Sequence, residues 1–176
     1  MGTLVEYLKP KVIFEMGTYN GFSTMHLAKN APADARVYTL DLNWDSKDAK
    51  DTKDFKHDLT EAHGDIKTME ANSRRWFHKD ECKGRIVELY GDSMTYDFSK
   101  FYGRTDFIFI DANHSYHYVK SDTENALKML SPKGIILWHD YDFIHPGIFR
   151  YLNQLAKVKK LYYIERTRFA LFINDE

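Results

Sequence analysis

Cysteine is almost absent from this 176-residue chain, in which Cys82 stands alone. One cysteine excludes an intrachain disulfide and a cysteine-based zinc site, and it fits a reducing compartment. The sequence also lacks the run of about 18 apolar residues that a membrane-spanning helix needs. Residues 1–10 lack the apolar stretch of a secretory signal. We therefore expect a cytoplasmic protein with no membrane partner.

An excess of charge of either sign is missing too. The 25 Lys and Arg residues offset 26 Asp and Glu residues, for a formal net charge of −1. This balance provides no general attraction to nucleic acid or to an anionic membrane. Apolar residues make up 43% of the chain, enough for a core of ordinary size. We expect one domain over residues 1–176.

What the chain does contain is a repeated strand–helix pattern. Short apolar runs rich in β-branched and aromatic residues alternate with segments of helical spacing. The predicted strands are 11–14, 36–42, 85–90, 105–110, 135–138, 161–165 and 168–173. The predicted helices are 22–29, 116–130 and 146–157.

This order predicts an α/β fold. Repeated strand–helix units imply a parallel sheet with right-handed crossovers. The tight link at residues 166–167 forces the last two strands into an antiparallel hairpin. We therefore expect a doubly wound, mostly parallel seven-stranded sheet that ends in a C-terminal antiparallel hairpin.

Residues 43–83 break this pattern. They are densely charged with both signs, poor in aliphatic residues and longer than a usual crossover. Their few large apolar side chains are Trp44, Phe55, Trp76 and Phe77. The segment is either a solvated helical insertion or a lid, because an insertion after the second strand lies at the edge where open α/β sheets bind ligands.

The loop after the first strand has the composition of a ligand-binding turn. Gly17 permits a sharp turn against bare backbone, and Gly21 lets the next helix start close to the strand. Tyr19 stands where a dinucleotide motif has the glycine that admits a pyrophosphate. Glu15 adds a carboxylate, which suits a cationic ligand such as an ammonium or sulfonium group. An ordinary strand–helix turn is the alternative interpretation.

Two later turns carry matching polarity. Asp41 ends the second strand, where a carboxylate can accept both hydroxyls of a ribose. Asp92 and Ser93 follow the third strand, where the edge of an adenine would lie. Each could be a simple cap or turn, but three such turns after three strands indicate a nucleoside ligand.

With these turns, the sequence resembles the class I S-adenosylmethionine-dependent methyltransferases. The first loop resembles the motif of the catechol O-methyltransferase-like branch: Glu15-x-Gly17-x-x-x-Gly21-Phe22-Ser23. Residues 111–122, 130–134 and 139–141 resemble a related group that includes small-molecule and sugar O-methyltransferases. Ala112 and Lys133 depart from that pattern, since glycine is usual at both positions.

The resemblance implies a Rossmann-like fold, an S-adenosylmethionine cofactor and a set of site residues. Those implied at the methionine end of the cofactor are Glu15, Gly17, Thr18, Tyr19, Gly21 and Ser23. Asp41 is implied at the ribose, Asp92 and Ser93 at the adenine, and Asp111 beside the sulfonium and the substrate. Catechol-type enzymes also have extra helices before the first motif, where this chain has only residues 1–10. Enclosure of the substrate must then come from the insertion, from a second copy in a homodimer, or not at all.

Two carboxylates suggest a metal-assisted reaction. Asp111 and Asp140 end neighbouring parallel strands, which lie roughly 5 Å apart. Both could bind one Mg²⁺ or another divalent cation, because hard cations prefer oxygen ligands. Catechol-type enzymes have a third ligand, an asparagine, where this chain has Tyr141. Asp142, Asn113 or water would then complete the site.

Histidine provides the competing mechanism. His114 and His139 flank the same cleft, and an imidazole has a pKa suited to a base near neutral pH. His139 precedes Asp140, so the two side chains should point to opposite faces unless the strand has already ended. A packed, non-catalytic His139 is the alternative. We predict that His117 and His145 lie on the surface.

The function predicted from these residues is methyl transfer to a hydroxyl group of a small molecule, such as a sugar, a phenol or a natural product. Asp111, His114, His139 and Asp140 are the candidate catalytic residues. A non-catalytic relative of this fold and a nicotinamide-dependent dehydrogenase or epimerase are the alternatives, and Glu15 and Tyr19 count against the second. Methylation of nucleic acid is disfavoured by the missing Asn-Pro-Pro-Tyr and Pro-Cys motifs and by the net charge.

Overall fold

The computed structural model describes residues 1–43 and 75–175. Its strands are β1 (Val12–Met16), β2 (Arg36–Asp41), β3 (Ile86–Tyr90), β4 (Thr105–Ile110), β5 (Leu130–Trp138), β6 (Leu161–Ile164) and β7 (Phe169–Ile173). They form one sheet in the order β3-β2-β1-β4-β5-β7-β6. The first five strands run parallel, and β7 is antiparallel to both β5 and β6. The predicted sheet, including its hairpin, is confirmed.

Four α-helices cover the sheet in the described part of the chain: α1 (Gly2–Leu8), α2 (Phe22–Asn30), α3 (Tyr116–Met129) and α4 (Pro146–Leu155). Short 3₁₀ turns add Trp76–Lys79, Glu81–Arg85 and Ser99–Phe101. Among the described residues, no helix has both the length and the apolar character needed to cross a membrane.

Helix α1 was not predicted. It has seven residues, too few to be stable alone in water, so its stability comes from packing. Val5 is fully buried in the cluster that lies beneath α2. Lys9 then adopts the left-handed conformation, with φ of 50°, and ends the helix just before Pro10.

The core lies on both faces of the central strands. On one face, Phe14 and Ile108 pack with residues of α3 and α4. On the other face, Ile13 and Phe107 pack with residues of α1 and α2. Because successive side chains of β1 and β4 point to opposite faces, these strands contribute to two apolar layers, as expected for parallel strands covered on both faces.

The strand order reverses between β1 and β4, which makes the loops after these strands diverge. Backbone hydrogen bonds hold the strand ends level: Gly17 donates to Leu40 at 2.9 Å, and Asp111 donates to Met16 at 2.9 Å. The carboxyl ends of β1 to β5 thus line one edge of the sheet, where the predicted site residues lie.

The predicted insertion falls mostly outside the described residues, as do Trp44 and Phe55. Its described end, residues 75–83, contacts the first loop. Trp76 donates its backbone N–H to the carbonyl of Asn20 at 2.9 Å, and Phe77 is buried in the apolar layer beneath α2. Whether the insertion acts as a lid stays a prediction.

Candidate functional site

The loop after β1 is pressed against the end of β4. Gly17 has φ of 95°, and a Cβ added there would lie 2.2 Å from the backbone oxygen of Asp111. Gly21 has φ of 75°, and a Cβ there would lie 2.5 Å from the ring of Phe77. Only glycine fits both positions, so the two predicted glycines set the path of the loop.

Glu15 lies beneath this loop and is fully buried. Its Oε2 accepts hydrogen bonds from the hydroxyl groups of Thr24 and, at 2.6 Å, Thr39. Thr18 and Thr39 share a further hydroxyl hydrogen bond of 2.6 Å. Burial raises the pKa of Glu15 to about 7, although the neighbouring hydroxyl groups act in the opposite direction. The structure therefore places Glu15 as a support of the loop, below the cavity walls.

Two cavities meet at Gly17. Residues predicted for the ribose and adenine line the first, whose walls include Gly17, Asp41, Asp92, Ser93, Asn113 and Tyr118. Residues predicted for the methionine end line the second, which has a volume of about 380 Å³ and walls that include Gly17, Thr18, Tyr19, Ser23, Asp111 and His139. The predicted assignments thus separate into two adjoining cavities.

Asp41 is anchored by backbone groups. Its Oδ2 accepts the N–H of Tyr19 at 2.7 Å, and its Oδ1 accepts the N–H of Leu42 at 2.8 Å. The nearly buried guanidinium of Arg75 lies 3.4 Å from Oδ2. Tyr19 has φ of 46°, which aims its N–H at this carboxylate. The first loop and the end of β2 are therefore tied together.

The turn after β3 is tied to α3. Asp92 accepts the N–H of Met94 at 2.9 Å through Oδ1 and the hydroxyl of Tyr118 at 3.2 Å through Oδ2. Asp122, fully buried on α3, lies near Ser93. Burial raises the pKa of Asp122 to about 7, and the charge of Asp92 adds to this rise.

A second group of polar side chains gathers at the ends of β4 and β5. The Nδ1 atom of His139 lies 3.4 Å from Oδ1 of Asp111 and 3.0 Å from Oδ1 of Asp140. The exception allowed for His139 and Asp140 applies, because the strand ends before both residues and their side chains reach the same site. Strand β5 ends at Trp138, and Asp140 then adopts a left-handed backbone with φ of 55°. This turn brings both side chains to Asp111, at a cost of about 1–3 kcal/mol for a residue other than glycine.

His114 and His145 reach the same carboxylate from the other side. The Nε2 atom of His114 lies 3.3 Å from Oδ2 of Asp140, and that of His145 lies 4.0 Å away. Asp142 lies 2.9 Å from Nδ1 of His145. The prediction of a surface His145 is therefore wrong, since only 14% of its side chain is exposed, whereas His117 is exposed as predicted.

The side chains of this group change one another's pKa values. Burial alone would lower the pKa of His139, but Asp111 and Asp140 override it and raise this pKa to about 9. Burial would raise the pKa of Asp140, yet the surrounding imidazoles of His139, His114 and His145 hold it below its usual value. Arg168 adds a further positive group, 2.8 Å from Oδ1 of Asp140.

The groups expected to replace the missing asparagine ligand separate in the structure. Asn113 accepts the N–H of Ser115 at 2.7 Å and lines the first cavity. Tyr141 stacks on Phe149 with ring centroids 5.4 Å apart. Asp142 alone, beside His145, joins the group at the strand ends.

Sequence reasoning missed two members of this group. His145 comes directly before Pro146 at the start of α4, and a histidine before a helix start was the signal available. Arg168 precedes β7, and nothing local in the sequence distinguished it from the other basic residues. His145 reaches Asp140 across the short loop before α4, whereas Arg168 comes from the C-terminal hairpin.

Comparisons with known proteins agree with this architecture. A family model described as a methyltransferase domain matches residues 14–141. A relative from Sinorhizobium fredii, the uncharacterized protein y4gI, is 24% identical over 171 residues. That alignment covers 89% of this chain but only 16% of the relative, so the chain corresponds to a small part of that protein.

Several solved structures share the fold. The SAH-bound methyltransferase PaMTH1 from Podospora anserina has a TM-score of 0.68 and 20% identity, over 99% of this chain and 75% of its own. An O-methyltransferase from Bacillus cereus in complex with SAH has a TM-score of 0.61 and 22% identity, over 98% and 76%. The O-methyltransferase TomG from Streptomyces achromogenes, in complex with SAM, has a TM-score of 0.61 and 15% identity, over 99% and 78%.

The family match spans well over half of the chain, and the strand order, the glycine loop and the two adjoining cavities fit it. The resemblance inferred from the motifs is confirmed, and the dehydrogenase alternative loses its support. The chain belongs to the methyltransferase domain family and has the class I, Rossmann-like methyltransferase fold.

Proposed function

We propose that this protein transfers the methyl group of S-adenosylmethionine to a hydroxyl group of a small molecule, such as a sugar, a phenol or a natural product. One observation carries the proposal. The two cavities meet at Gly17, and the wall of the larger one contains Asp111 and His139. A cofactor that spans both cavities would place its sulfonium near these two side chains.

The first cavity suits the adenosine half of the cofactor. Asp41 lies at its wall, where a carboxylate can accept ribose hydroxyls, and Asp92 and Ser93 line the same cavity, where we propose that the adenine binds. The neighbours PaMTH1 and TomG were solved with SAH and SAM respectively, which supports the same ligand class for this chain.

The second cavity suits the methionine half and the acceptor. Its volume of about 380 Å³ lies within the usual range of small-molecule sites, roughly 300–1,000 Å³. Methyl transfer is an in-line displacement, so the acceptor oxygen must be held opposite the sulfur and must lose its proton. Asp111 would accept the hydrogen bond of that hydroxyl and take up its proton as the methyl group leaves the sulfonium sulfur.

The same three residues fit a divalent cation. One donor atom each from Asp111, His139 and Asp140 lie within 4.8 Å of one another. Nδ1 of His139 is buried between these two carboxylates, and a cation there would take the place of the positive charge of its imidazolium. A cation such as Mg²⁺ held there would polarise the acceptor hydroxyl and favour loss of its proton.

Calorimetric titration with S-adenosylmethionine and S-adenosylhomocysteine, with and without Mg²⁺, tests the proposal. We expect both ligands to bind at micromolar concentration and NAD not to bind. Binding would justify a screen of hydroxylated acceptors for methylated product by mass spectrometry. Failure of both ligands to bind would contradict the proposal and favour a non-catalytic member of the fold.

We also propose a cytoplasmic homodimer with no nucleic-acid or membrane partner. The balanced net charge supports the absence of a polyanionic partner. The larger cavity is open to solvent beside the exposed rings of Tyr19 and Phe22. A second copy of the chain can cover this open side. Light scattering on the purified chain checks this, and a monomer at all concentrations would contradict it.

A further inference from the structure

We infer that His114, Asp140 and His145 form a second cation site, a triad of two imidazoles and one carboxylate that takes a first-row transition-metal ion such as Zn²⁺ or Co²⁺. This site shares Asp140 with the group of Asp111 and His139 and adjoins it, since Nε2 of His114 also lies 4.0 Å from Oδ1 of Asp111, but it uses the other oxygen of Asp140. The inference does not depend on methyl transfer.

The distances suit direct coordination. Nε2 of His114 and Oδ2 of Asp140 are 3.3 Å apart, Nε2 of His145 is 4.0 Å from the same oxygen, and all three atoms lie within 4.8 Å of one another. Two ligands that each bond a tetrahedral ion at about 2.1 Å lie about 3.4 Å apart. A small inward movement of His145 would therefore complete the triad.

Groups behind the triad orient the donor atoms of His145 and Asp140. Asp142 lies 2.9 Å from Nδ1 of His145, so a proton on Nδ1 leaves the lone pair of Nε2 directed at the triad. Arg168 lies 2.8 Å from Oδ1 of Asp140 and 3.5 Å from Asp142, which leaves Oδ2 of Asp140 for the ion. Histidines that bind metals usually donate their other N–H to a carboxylate or carbonyl, and ligating carboxylates are themselves hydrogen-bonded.

Burial and backbone packing indicate that the triad is preorganised. Only 9% of the Asp140 side chain is exposed, against 25% for His114 and 14% for His145, so the triad is enclosed but can be reached. Gly147 explains why the two histidines meet. A Cβ there would lie 2.2 Å from the backbone oxygen of His114, so only glycine lets the start of α4 close against the loop that carries His114.

The donor atoms determine the class of ion. Imidazole nitrogen suits Zn²⁺, Co²⁺, Ni²⁺ and Fe²⁺, whereas Mg²⁺ prefers oxygen ligands and retains water. Two imidazoles and one carboxylate leave further positions for water or an incoming ligand, as in catalytic zinc and mononuclear iron sites. The triad should therefore prefer a transition-metal ion over Mg²⁺.

The test is a Co²⁺ titration of the full chain after chelator treatment and removal of any histidine tag, followed by visible absorption. We expect wild-type protein to show the spectrum of imidazole-bound Co²⁺, reversed by Zn²⁺ but not by excess Mg²⁺. His145→Ala should weaken Co²⁺ binding at least tenfold, and Asp142→Asn should weaken it about tenfold because His145 loses its orienting partner. His117→Ala, an exposed histidine on α3, is the matched control and should bind as wild type.

Three results would overturn the inference: unchanged Co²⁺ affinity in His145→Ala, complete competition by Mg²⁺, or loss of Co²⁺ binding only in His139→Ala, which would place the ion with Asp111. Circular dichroism and titration with S-adenosylhomocysteine on the same variants separate misfolding from loss of the ion. Metal binding without binding of S-adenosylhomocysteine would contradict the proposed function alone, and the reverse would contradict this inference alone.

Discussion

The two halves of the cleft are built in different ways. On the side proposed for the nucleoside, at the ends of β2 and β3, the carboxylates of Asp41 and Asp92 accept backbone N–H groups as well as contacts from Arg75 and Tyr118. At the ends of β4 and β5, Asp111 and Asp140 face histidine side chains instead. The carboxylates of the first half are thus anchored in part by the backbone, whereas those of the second half depend on other titratable side chains.

This difference predicts how each half responds to change. A carboxylate held by backbone groups keeps its place when a neighbouring side chain is replaced. In the second half, replacement of one member leaves its partners buried without a counter-charge, which costs about 1–3 kcal/mol or more for each group. We therefore expect substitutions in the second half to reduce turnover before cofactor affinity. Substitutions in the first half should reduce cofactor affinity before turnover.

The largest expected effect is on turnover, in Asp140→Asn. Asn has the shape of Asp but lacks the charge that His114, His139 and Arg168 face, so we expect turnover to fall by about a thousandfold or more, about 4 kcal/mol. Affinity for S-adenosylhomocysteine should stay within about threefold, since Asp140 does not line either cavity. Steady-state kinetics and calorimetry on one preparation measure both.

The exposed Asp97→Asn is the control for that variant. Should the affinity for S-adenosylhomocysteine collapse together with turnover, Asp140 would belong to the fold or to the cofactor site, and the proposed division between the two halves would fail.

The next effect is on stability, in Gly17→Ala. The added Cβ would meet the backbone oxygen of Asp111 at 2.2 Å, at a φ of 95° that alanine avoids. We expect a loss of about 3 kcal/mol or more in the free energy of unfolding, measured by urea titration. Gly84→Ala is the matched control, because no atom lies within 4 Å of its added Cβ. Equal stability of the two variants would show that the first loop can move away from β4.

Much of the nucleoside half was predictable because its signals are local. Strand β2 was predicted within one residue of its observed bounds, since a run of β-branched and aromatic residues needs no information from elsewhere. Gly17, Asp41 and Asp92 were predicted because each follows a strand, and the carboxyl ends of parallel strands share one edge. Helix α1 was missed for the opposite reason, since seven residues carry little helical signal without their packing partner.

The second half was only partly predictable. Asp111 and Asp140 were placed together by strand order, but the left-handed backbone at Asp140, which lets it share a site with His139, has no local sequence signal. His145 and Arg168 arrive from α4 and the C-terminal hairpin. Their approach depends on how α4 packs, which includes the close contact at Gly147 and is not encoded in any short motif.

A smaller effect, on how the free energy of unfolding depends on pH, tests the role of Glu15 beneath the first loop. Glu15 has a pKa of about 7 when folded, against 4.5 as its ordinary value, so the folded state binds more protons between these values. Stability should therefore fall by about 3 kcal/mol as pH rises from 4.5 to above 7. Glu15→Gln keeps an oxygen for Thr24 and Thr39 but cannot ionise, so it should remove this component.

Urea unfolding at a series of pH values measures that slope, with the exposed Glu165→Gln as the control that keeps it. A wild-type slope that persists in Glu15→Gln would assign the pH dependence to another group, with buried Asp122 the next to replace.

The smallest expected effect is on cofactor affinity, in Asp41→Ala. Loss of the carboxylate removes the acceptor for two ribose hydroxyls and frees the N–H groups of Tyr19 and Leu42. We expect S-adenosylmethionine to bind tenfold or more weakly, about 1.4 kcal/mol, by calorimetry. Asp34→Ala, an exposed aspartate paired with Lys11, should bind as wild type. Unchanged affinity in Asp41→Ala would remove Asp41 from the site, and the first cavity would then recognise its ligand through the backbone and the turn after β3 alone.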